Sequence, residues 1–397
     1  MTRLGDVCEK IGSGATPRGG KEAYKDAGIP IIRSQNIHDW VFQPDGLAFL
    51  DDEQAESLSN VEVRSNDVLL NITGDSVARA CIVPSERIPA RVNQHVAIVR
   101  AGKEINPTYL LASLQSKKTT LLSLASSGAT RNDLTKRMIE NLDIDLPSRE
   151  MQDSIAQVLD SIQYKITLNN RLNDYLFELV SSVFAHRFSD NVNTTELKNV
   201  LSISTKALKP QEHADEIWEH YSIPAFDEKH RPIFEPASGI KSNKYQIDSE
   251  CILISKLNPS TKRIWMPCCS SNNAVCSTEF IVYRPYLKEY KSFYYAAIDS
   301  PRFTDYLLEH VSGSTGSRQR AQPKDTLNYL MPNPDNEEIK DFCTFADPIY
   351  RHIQINEQQT AKLELLRETL LPKLMSGAID VSKVDLTQLT NNHLSDC

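Results

Sequence analysis

The chain contains one long internal repeat, which constrains its architecture before any local motif is considered. A helical pattern opens at Pro147 and a second one opens at Pro334, and the two align without a gap at a constant offset of 187 residues, the interval between these prolines. The matches at this offset include Glu150 with Glu337, Asp160 with Asp347, Ile166 with Ile353, Leu176 with Leu363 and Leu179 with Leu366. Two similar halves, each ending in a long helix, predict a pseudo-symmetric protein that recognises something with two half-sites.

Apolar residues recur in both helical segments at alternating spacings of four and three, which is typical of a coiled-coil seam. The predicted seam comprises Ile155, Leu159, Ile162, Ile166, Leu172, Leu176, Leu179 and Val183 in the first helix, and Phe342, Ala346, Ile349, Ile353, Leu363, Leu366 and Leu370 in the second. Each helix spans roughly 38 residues, or about 55–60 Å at 1.5 Å per residue. Because isolated helices of this length would expose their seams, we expect them to pair, and the pseudo-dyad favours an antiparallel coiled coil.

Two polar residues, Asn169 and its repeat partner Asn356, also fall on the seam. A polar residue at a core position costs stability but fixes the register of the helices. Two alternatives remain open. Either the two asparagines meet each other near the dyad, or each faces solvent because the seam slips by one residue there.

The segments before the two long helices have mixed α/β character. In the first of them, β-rich runs such as 67–72 and 95–99 lie between turns rich in Gly and Pro, and a helix begins at Pro107. The second segment repeats this order. The sequence therefore predicts an α+β fold with two pseudo-symmetric α/β domains separated by two long helices. The predicted segments are domains at 1–146 and 189–333, spacer helices at 147–188 and 334–377, and a polar, partly disordered tail at 378–397.

Composition excludes few functions. The net charge of −8 argues weakly against a nucleic-acid binder, but residues 1–146 carry only −2 and residues 189–333 carry 0, so local basic patches remain open. No apolar run is long enough to span a membrane. Eight cysteines in a chain of 397 residues do not form a disulfide framework, which predicts a reducing cytoplasm. Four of these cysteines, Cys251, Cys268, Cys269 and Cys276, are expected to be buried or half-buried free thiols rather than a metal site.

Sequence motifs for catalysis are missing. There is no Gly-rich phosphate loop after a strand, no G-x-S-x-G elbow and no H-E-x-x-H zinc motif. The nine histidines are scattered, and His95 is interpreted as a packed strand residue rather than a base. We therefore expect a chain without catalytic residues and without a bound metal.

Polar loops that recur at equivalent places in both halves are suited to duplex DNA. Arg pairs with guanine, Asn and Gln pair with adenine, and Lys and Ser contact phosphate. The candidates in the first half are Arg33, Gln35, Asn36, Thr73, Asp75, Arg79, Arg91, Asn93, Gln94, Thr130 and Arg131. The candidates in the second half are Lys256, Asn258, Lys262, Arg263, Asn272, Asn273, Arg318, Arg320 and Lys324. A single loop of this kind is usually solvated surface, so their recurrence supports the group rather than each member.

Several local runs, together with the duplicated helix, resemble one known family. They are Leu4–Val7, Gly14–Pro17, Gly28–Ile32, the Gly-Ala-Thr-Arg stretch at 128–131, and Leu142–Pro147 followed by Glu150 and Gln152. These runs resemble a target recognition domain, and the whole resembles the specificity subunit of type I restriction–modification systems over roughly residues 3–376.

The resemblance implies that each globular domain binds one half of a bipartite target in double-stranded DNA, and that the antiparallel coiled coil sets the spacing between the halves. It implies two modification subunits that use S-adenosylmethionine to methylate adenine, joined by restriction subunits that translocate DNA with ATP and Mg. These cofactors would belong to the partners, and none to this chain. The alternative is a non-catalytic coiled-coil scaffold whose two ligand-binding domains are not directed at DNA. A chain that is itself an enzyme is disfavoured by the missing motifs.

Overall fold

The computed structural model describes residues 1–126, 132–190, 193–312 and 319–381. The chain divides into two compact units. Unit 1 contains Met1–Thr167 together with the described part of Ala361–Cys397, and unit 2 contains Leu168–Thr360. Each unit therefore combines one globular part with a portion of both long helices. The predicted division into five segments stays a prediction, and most of the predicted tail, 382–397, lies outside the described residues.

Unit 1 is built from short strands and helices that lead into the first long helix. Its helices are α1 (Leu4–Val7), α2 (Asp52–Ser57), α3 (Pro107–Ser116), α4 (Lys118–Ser126), α5 (Lys136–Glu140) and the first part of α6 (Arg149–Phe188). Its strands are β1 (Thr2–Arg3), β2 (Cys8–Ser13), β3 (Ile29–Ile32), β4 (Ala48–Leu50), β5 (Glu62–Val63), β6 (Val68–Asn71), β7 (Ala80–Ile82), β8 (Ala90–Val92), β9 (Val96–Ala101) and β10 (Asp143–Ile144). The helix predicted from Pro107 is confirmed as α3, with Asn106 as its N-cap.

Unit 2 has a related element order, with additional short strands and with a helix between the strands Ile217–Tyr221 and Ile233–Pro236. Its helices, after the second part of α6, are α7 (Ile223–Lys229), α8 (Lys291–Asp299), α9 (Pro301–Glu309), α10 (Pro323–Thr326) and α11 (Asn336–Met375), which continues into unit 1. Its strands are β11 (Thr194–Glu196), β12 (Leu201–Ser204), β13 (Ala207–Leu208), β14 (Ile217–Tyr221), β15 (Ile233–Pro236), β16 (Lys244–Gln246), β17 (Ile252–Ser255), β18 (Ile264–Trp265), β19 (Ala274–Ser277), β20 (Phe280–Pro285), β21 (Val311–Ser312), β22 (Arg320–Ala321) and β23 (Leu330–Pro332).

The sheets of the two units have matching topologies. A four-stranded antiparallel sheet has the order β2-β9-β6-β7 in unit 1 and β12-β20-β17-β18 in unit 2. The second sheet has the order β4-β3-β8-β5 in unit 1. In the matching direction, it has the order β15-β14-β19-β16-β13 in unit 2. Its central pair is parallel in both units, β3 with β8 and β14 with β19, and β13 is an additional edge strand. The α+β fold and the predicted duplication are confirmed, since the repeat in sequence is a repeat of fold.

The two long helices pair in an antiparallel arrangement within unit 2. Asn356 donates from Nδ2 to Oδ1 of Asn173 at 2.8 Å, and Arg187 forms an ion pair with Asp341 at 2.8 Å. Residue numbers therefore rise along α6 while they fall along α11. The antiparallel pairing predicted from the repeat is confirmed there.

The seam between the helices differs from the predicted seam in one respect. Ile155, Leu159, Ile162, Ile166 and Ile353 are buried as predicted. The prediction was wrong for three leucines that are exposed, namely Leu172, Leu179 and Leu366. In their place the buried side chains are Asn173, Val180 and Arg367. The contact face shifts by one residue beyond Asn169 and Asn356, as in a stutter, so a strict 4-3 repeat misplaces each later position.

Arg367 is buried in place of Leu366 because other side chains of unit 1 interact with its guanidinium group. Its guanidinium carbon lies 5.1 Å from the centre of the Trp40 ring, and its Nη1 donates to Oε1 of Gln163. Leu176, Ile349 and Leu363 are half-buried against the hydrophobic cores. An arginine can therefore occupy a seam position when its aliphatic chain is packed and its guanidinium group is hydrogen-bonded.

Neither alternative for the two seam asparagines describes what they do. Both are buried, so they do not face solvent, and they do not bond to each other. Asn169 donates from Nδ2 to Oε1 of Gln359 at 2.9 Å and to Oγ1 of Thr360 at 3.4 Å, whereas Asn356 donates to Asn173. Thr360 lies 187 residues after Asn173, so the two contacts are repeat-related. Each asparagine thus meets the residue one helical turn beyond its repeat partner.

Phe188 anchors the end of α6 in a cluster of aromatic rings in unit 2. Its ring lies 5.2 Å from Phe293 and 5.6 Å from Phe342, both edge to face, and its side chain is almost fully buried.

We expect Phe188→Ala to lower the free energy of unfolding of unit 2 by about 3–5 kcal/mol, because it leaves a cavity. Chemical denaturation followed by circular dichroism measures this loss. The matched control is Tyr175→Ala on the exposed face of the same helix, which should change stability by less than about 0.5 kcal/mol; equal effects of the two variants would contradict the role of Phe188.

Candidate nucleic-acid interface

Asn71, which sequence reasoning missed, joins two of the predicted loops of unit 1. Its side chain is fully buried at the end of β6. Its Nδ2 donates to the carbonyl of Ser34 at 2.9 Å and to Oγ of Ser76 at 3.1 Å. The loop that contains Arg33 and Gln35 and the loop that contains Asp75 are therefore held side by side. The signal in the sequence was a polar residue that ends a buried apolar strand.

His95 joins the second of these loops to the third. Its Nδ1 lies 2.7 Å from Oγ1 of Thr73, its Nε2 lies 3.3 Å from Nε2 of Gln94, and its backbone N–H donates to Oδ1 of Asn93 at 3.1 Å. His95 was interpreted as a packed strand residue, but it lies just before β9 and is only half-buried. Three of the four loops predicted in the first half therefore come together.

A polar cleft opens beside His95 in unit 1. It has a volume of about 320 Å³, and its polar lining includes Ser13, Thr73, Gln94, His95, Asp133 and Lys136. Hydroxyl, amide, imidazole and ammonium groups together offer both donors and acceptors, which suits a nucleic-acid surface better than an apolar ligand.

The same arrangement of loops recurs in unit 2. We call it the loop junction, and it comprises residues 72–74, 93–95 and 132–134 in unit 1 and residues 256–258, 277–279 and 319–321 in unit 2. Lys256 donates its backbone N–H to the carbonyl of Glu279 at 2.9 Å, as Ile72 does to His95 at 3.0 Å. The turn before each strand is also closed in the same way, since Glu279 N–H donates to Oγ of Ser277 at 3.2 Å.

Two further backbone hydrogen bonds complete the equivalence. Gly74 donates to Asn132 at 3.1 Å and Leu134 donates to Ile72 at 2.8 Å in unit 1, whereas Asn258 donates to Gln319 and Ala321 donates to Lys256, both at 2.9 Å, in unit 2. Gly74 and Asn258 both have positive φ, 74° and 47°. Asn is among the few non-glycine residues that tolerate this conformation, so the identity of Asn258 has a backbone reason.

The charges at the loop junction differ between the units. In unit 2, Arg320 donates from Nε and Nη2 to the two carboxylate oxygens of Glu279 at 3.1 and 3.3 Å. This hydrogen bonding raises the pKa of the Arg320 guanidinium. In unit 1 the equivalent positions hold His95 and Asp133.

Several predicted DNA-contacting residues are instead used inside their own domain. Asn36 is buried and donates to the carbonyls of Gln43 and Asp45, and Asn93 is buried in the turn before β9. Arg33 lies over the Tyr24 ring and donates to the carbonyl of Gly46. Turn and loop hydrogen bonds thus already use polar groups of these three residues, and their contact with DNA bases stays a prediction.

Besides Arg320, three predicted basic residues are paired with acids. Buried Arg91 pairs with Glu62 at 3.2 Å and donates to the carbonyl of Ala55. Lys262 pairs with Asp299, and Arg263 pairs with Asp227 through Nε and Nη2. Burial raises the pKa of the Asp299 carboxyl, and the Lys262 ammonium opposes that shift. The predicted interface is therefore less basic than its Lys and Arg content indicates.

The remaining predicted residues keep accessible side chains or fall outside the described residues. The residues with half-buried or exposed side chains are Gln35, Thr73, Asp75, Arg79, Gln94, Lys256, Asn258, Asn272, Asn273, Arg320 and Lys324. Their contact with DNA stays a prediction. Thr130, Arg131 and Arg318 lie outside the described residues.

Within the described ranges, no group of His, Cys, Asp and Glu has the geometry to hold a metal ion. Cys251 and Cys276 are buried and Cys268 and Cys269 are half-buried, all as free thiols, as predicted. None of the helices in the described part of the chain has the length and hydropathy needed to cross a membrane.

Comparisons with known proteins point to one family. Residues 1–176 match the family described as Type I restriction modification DNA specificity domain. A putative type I restriction enzyme MjaX specificity subunit from Methanocaldococcus jannaschii is 23% identical over 178 residues, which cover 43% of this chain and 41% of that protein. The chain thus spans less than half the length of this curated relative.

One solved structure has a fold similar to that of this chain. The type I restriction–modification S subunit from M. genitalium matches 94% of this chain and 95% of its own, with a TM-score of 0.57 and 14% identity. At this identity the likeness concerns the fold. The resemblance to specificity subunits that the sequence motifs indicated is confirmed.

Proposed function

We propose that this chain, whose first 176 residues match a type I DNA specificity domain, is the DNA-recognition subunit of a type I restriction–modification complex. In this role it binds a bipartite target and carries no catalytic residue itself. The observation that supports the proposal best is the loop junction, which the same hydrogen bonds build in both units. Two equivalent folds that present different side chains at the same place suit a target made of two different half-sites.

Each unit is proposed to read one half of the target with its accessible loop residues. Gln35 and Gln94 in unit 1, and Asn272 and Asn273 in unit 2, are exposed residues whose side-chain amides are of the kind that pairs with adenine. Lys256 and Lys324 are suited to phosphate. Buried residues such as Asn71 would act indirectly, by holding the loops in place.

The paired helices are proposed to set the interval between the two half-sites. α6 and α11 each have 40 residues, about 60 Å at 1.5 Å per residue. This length is comparable to somewhat more than one and a half turns of B-DNA, for which one turn is about 34–36 Å. The buried asparagines of unit 2 would keep the helices in one register.

An exposed apolar stripe on α6 is proposed to receive a modification subunit. In unit 2 the stripe comprises Leu168, Leu172, Tyr175 and Leu179, which are 37–67% exposed. Contiguous exposed apolar side chains of this kind mark interaction surfaces. We assign S-adenosylmethionine to the modification subunits, and ATP and Mg to the restriction subunits.

The direct test is sequencing of methylated adenines in the genome of a host that expresses the complex. We expect a bipartite motif that is fully methylated in the presence of this chain, and that loses methylation when the gene for this chain alone is deleted. Restoring the gene should restore the motif. An unchanged methylation pattern after deletion would favour the scaffold whose domains bind ligands other than DNA.

A further inference from the structure

We propose that the buried Glu219 is a positioning residue for residues 268–273, and that this loop reads adenine in the half-site bound by unit 2 through Asn272 and Asn273. The inference rests on the proposed function and adds to it the side chains that fix the reading loop. We call residues 268–273 the asparagine loop. It leads directly into β19, which begins at Ala274.

Glu219 of β14 fixes three residues of the asparagine loop. Its side chain is fully buried. Its Oε2 accepts from the backbone N–H of Ser271 at 2.8 Å and from Oγ of Ser270 at 3.1 Å. Its Oε1 accepts from the hydroxyl of Tyr221 at 2.8 Å. Its own backbone N–H donates to the carbonyl of Asn273 at 3.1 Å.

Tyr221 lies two residues further along β14 and supports the start of the loop. Because side chains alternate along a strand, Tyr221 and Glu219 lie on the same face of β14. The Tyr221 hydroxyl donates to Glu219, and its oxygen accepts from the backbone N–H of Cys269 at 3.1 Å. Burial raises the pKa of the Tyr221 phenol, so the phenol keeps the proton that it donates. Cys269 has a positive φ of 47°, a conformation that persists in a non-glycine residue only where its surroundings hold it.

The hydrogen bonds to Glu219 couple the loop to the interior of unit 2. All three groups that donate to its carboxylate are neutral, namely two hydroxyls and one backbone N–H. Hydrogen bonds to a carboxylate are stronger than those between neutral groups. Removal of one donor leaves part of a buried acceptor unsatisfied, which is costly. We therefore expect the loop to change its conformation when one donor is lost.

The two asparagines at the end of the loop are open to a ligand. Both are exposed, and within the described part of the chain no group hydrogen-bonds to either side-chain amide. The backbone of Asn273 is fixed by Glu219 and by Oγ of Ser271, which accepts from its N–H at 3.3 Å. An asparagine amide matches N6 and N7 of adenine in the major groove. Free amides on a fixed backbone lose less conformational freedom on binding, which favours recognition.

This support is specific to unit 2. The equivalent strand of unit 1 is β3, because β3 pairs with β8 in parallel as β14 pairs with β19. The sequence of β3 is Ile-Pro-Ile-Ile, which contains neither an acid nor a tyrosine. Loss of the buried network should therefore change one half-site and leave the other as it is.

The test uses the full chain in complex with its modification subunit, which captures duplexes from a randomised library for sequencing. For the double variant Asn272→Ala with Asn273→Ala we expect the preference for adenine at one or two bases of one half-site to fall by roughly 5- to 150-fold, the range of a good bidentate pair. Tyr221→Phe and Glu219→Gln should each lower the preference at the same bases by a smaller factor. Tyr221→Phe added to the double variant should cause no further loss there, because a positioning residue acts through the asparagines.

Tyr283→Phe is the matched control. Tyr283 is also a fully buried tyrosine of unit 2, and its hydroxyl donates to Oγ1 of Thr326 at 2.6 Å rather than to the asparagine loop. Tyr221→Phe and Tyr283→Phe each remove one buried hydroxyl, so chemical denaturation should show similar losses of stability. Only Tyr221→Phe should change the selected motif.

Three results would overturn the inference while the proposed function stands. The first is an unchanged motif when both asparagines are replaced. The second is the same motif from Tyr221→Phe and Tyr283→Phe. The third is a further loss of adenine preference when Tyr221→Phe is added to the double variant. If the wild-type complex selects no bipartite motif, the proposed function itself fails.

Discussion

Deleting residues 163–169 from α6 alone is expected to abolish methylation at the original target, whereas deleting residues 360–366 from α11 as well is expected to restore methylation at a shorter target. The two segments face each other in the antiparallel pair, as the contacts of Gln163 with Arg367 and of Asn169 with Thr360 show. Seven residues correspond to one heptad, so the apolar face of each shortened helix keeps its direction. A deletion in one helix leaves the other about 10 Å too long, which breaks the pairing.

The double deletion is the informative control, because it shortens both helices by the same length. We expect the two half-sites to stay the same and the interval between them to fall by up to about three base pairs, since about 10 Å of helix is removed and one turn of B-DNA is about 34–36 Å. Sequencing of methylated adenines measures both the motif and its interval. Unchanged methylation at the original interval in either variant would mean that the helices do not act as the spacer.

The second large effect concerns the affinity for DNA with and without partners. We expect this chain alone to bind duplex DNA at least about 100-fold more weakly than the complex with its modification subunits, because neutralisation of phosphates supplies much of the affinity. The chain carries a net charge of −8, and Arg91, Lys262, Arg263 and Arg320 are each paired with an acid of their own unit. The partners are expected to contribute most of the positive surface.

Fluorescence anisotropy with a labelled duplex at about 50 and 200 mM salt tests this expectation. The chain alone should show a shallow dependence of affinity on salt, and the complex a steep one, because the slope follows the number of phosphates neutralised. The exposed stripe provides a control for assembly. Leu172→Glu in this stripe should lower the DNA affinity of the mixture to that of the chain alone without unfolding it. Tight and strongly salt-dependent binding by the isolated chain would contradict the expectation.

The candidate site was predictable only in outline. The loops around Gln94, Asn258 and Arg320 were identified from residue types that suit DNA, and their recurrence in both halves indicated equivalent places. The residues that hold the loops together, Asn71 and His95, were missed or interpreted differently. A hydrogen bond between residues distant in the chain leaves no local pattern, so composition could not separate side chains that face outward from those that close a turn.

The sequence by itself determined the duplication, the mixed α/β character of both halves, and the existence of two long amphipathic helices, because these depend on periodicity and on similarity along the chain. Only the tertiary structure decided which faces meet. It placed Arg367 rather than Leu366 in the seam, paired Asn169 with Gln359 and Thr360, and joined Arg320 to Glu279. The physical reason is that the free energy of burying a polar side chain depends on its hydrogen-bond partner. A one-residue shift of the helix seam, or a partner from a distant loop, changes that free energy but leaves the local sequence pattern the same.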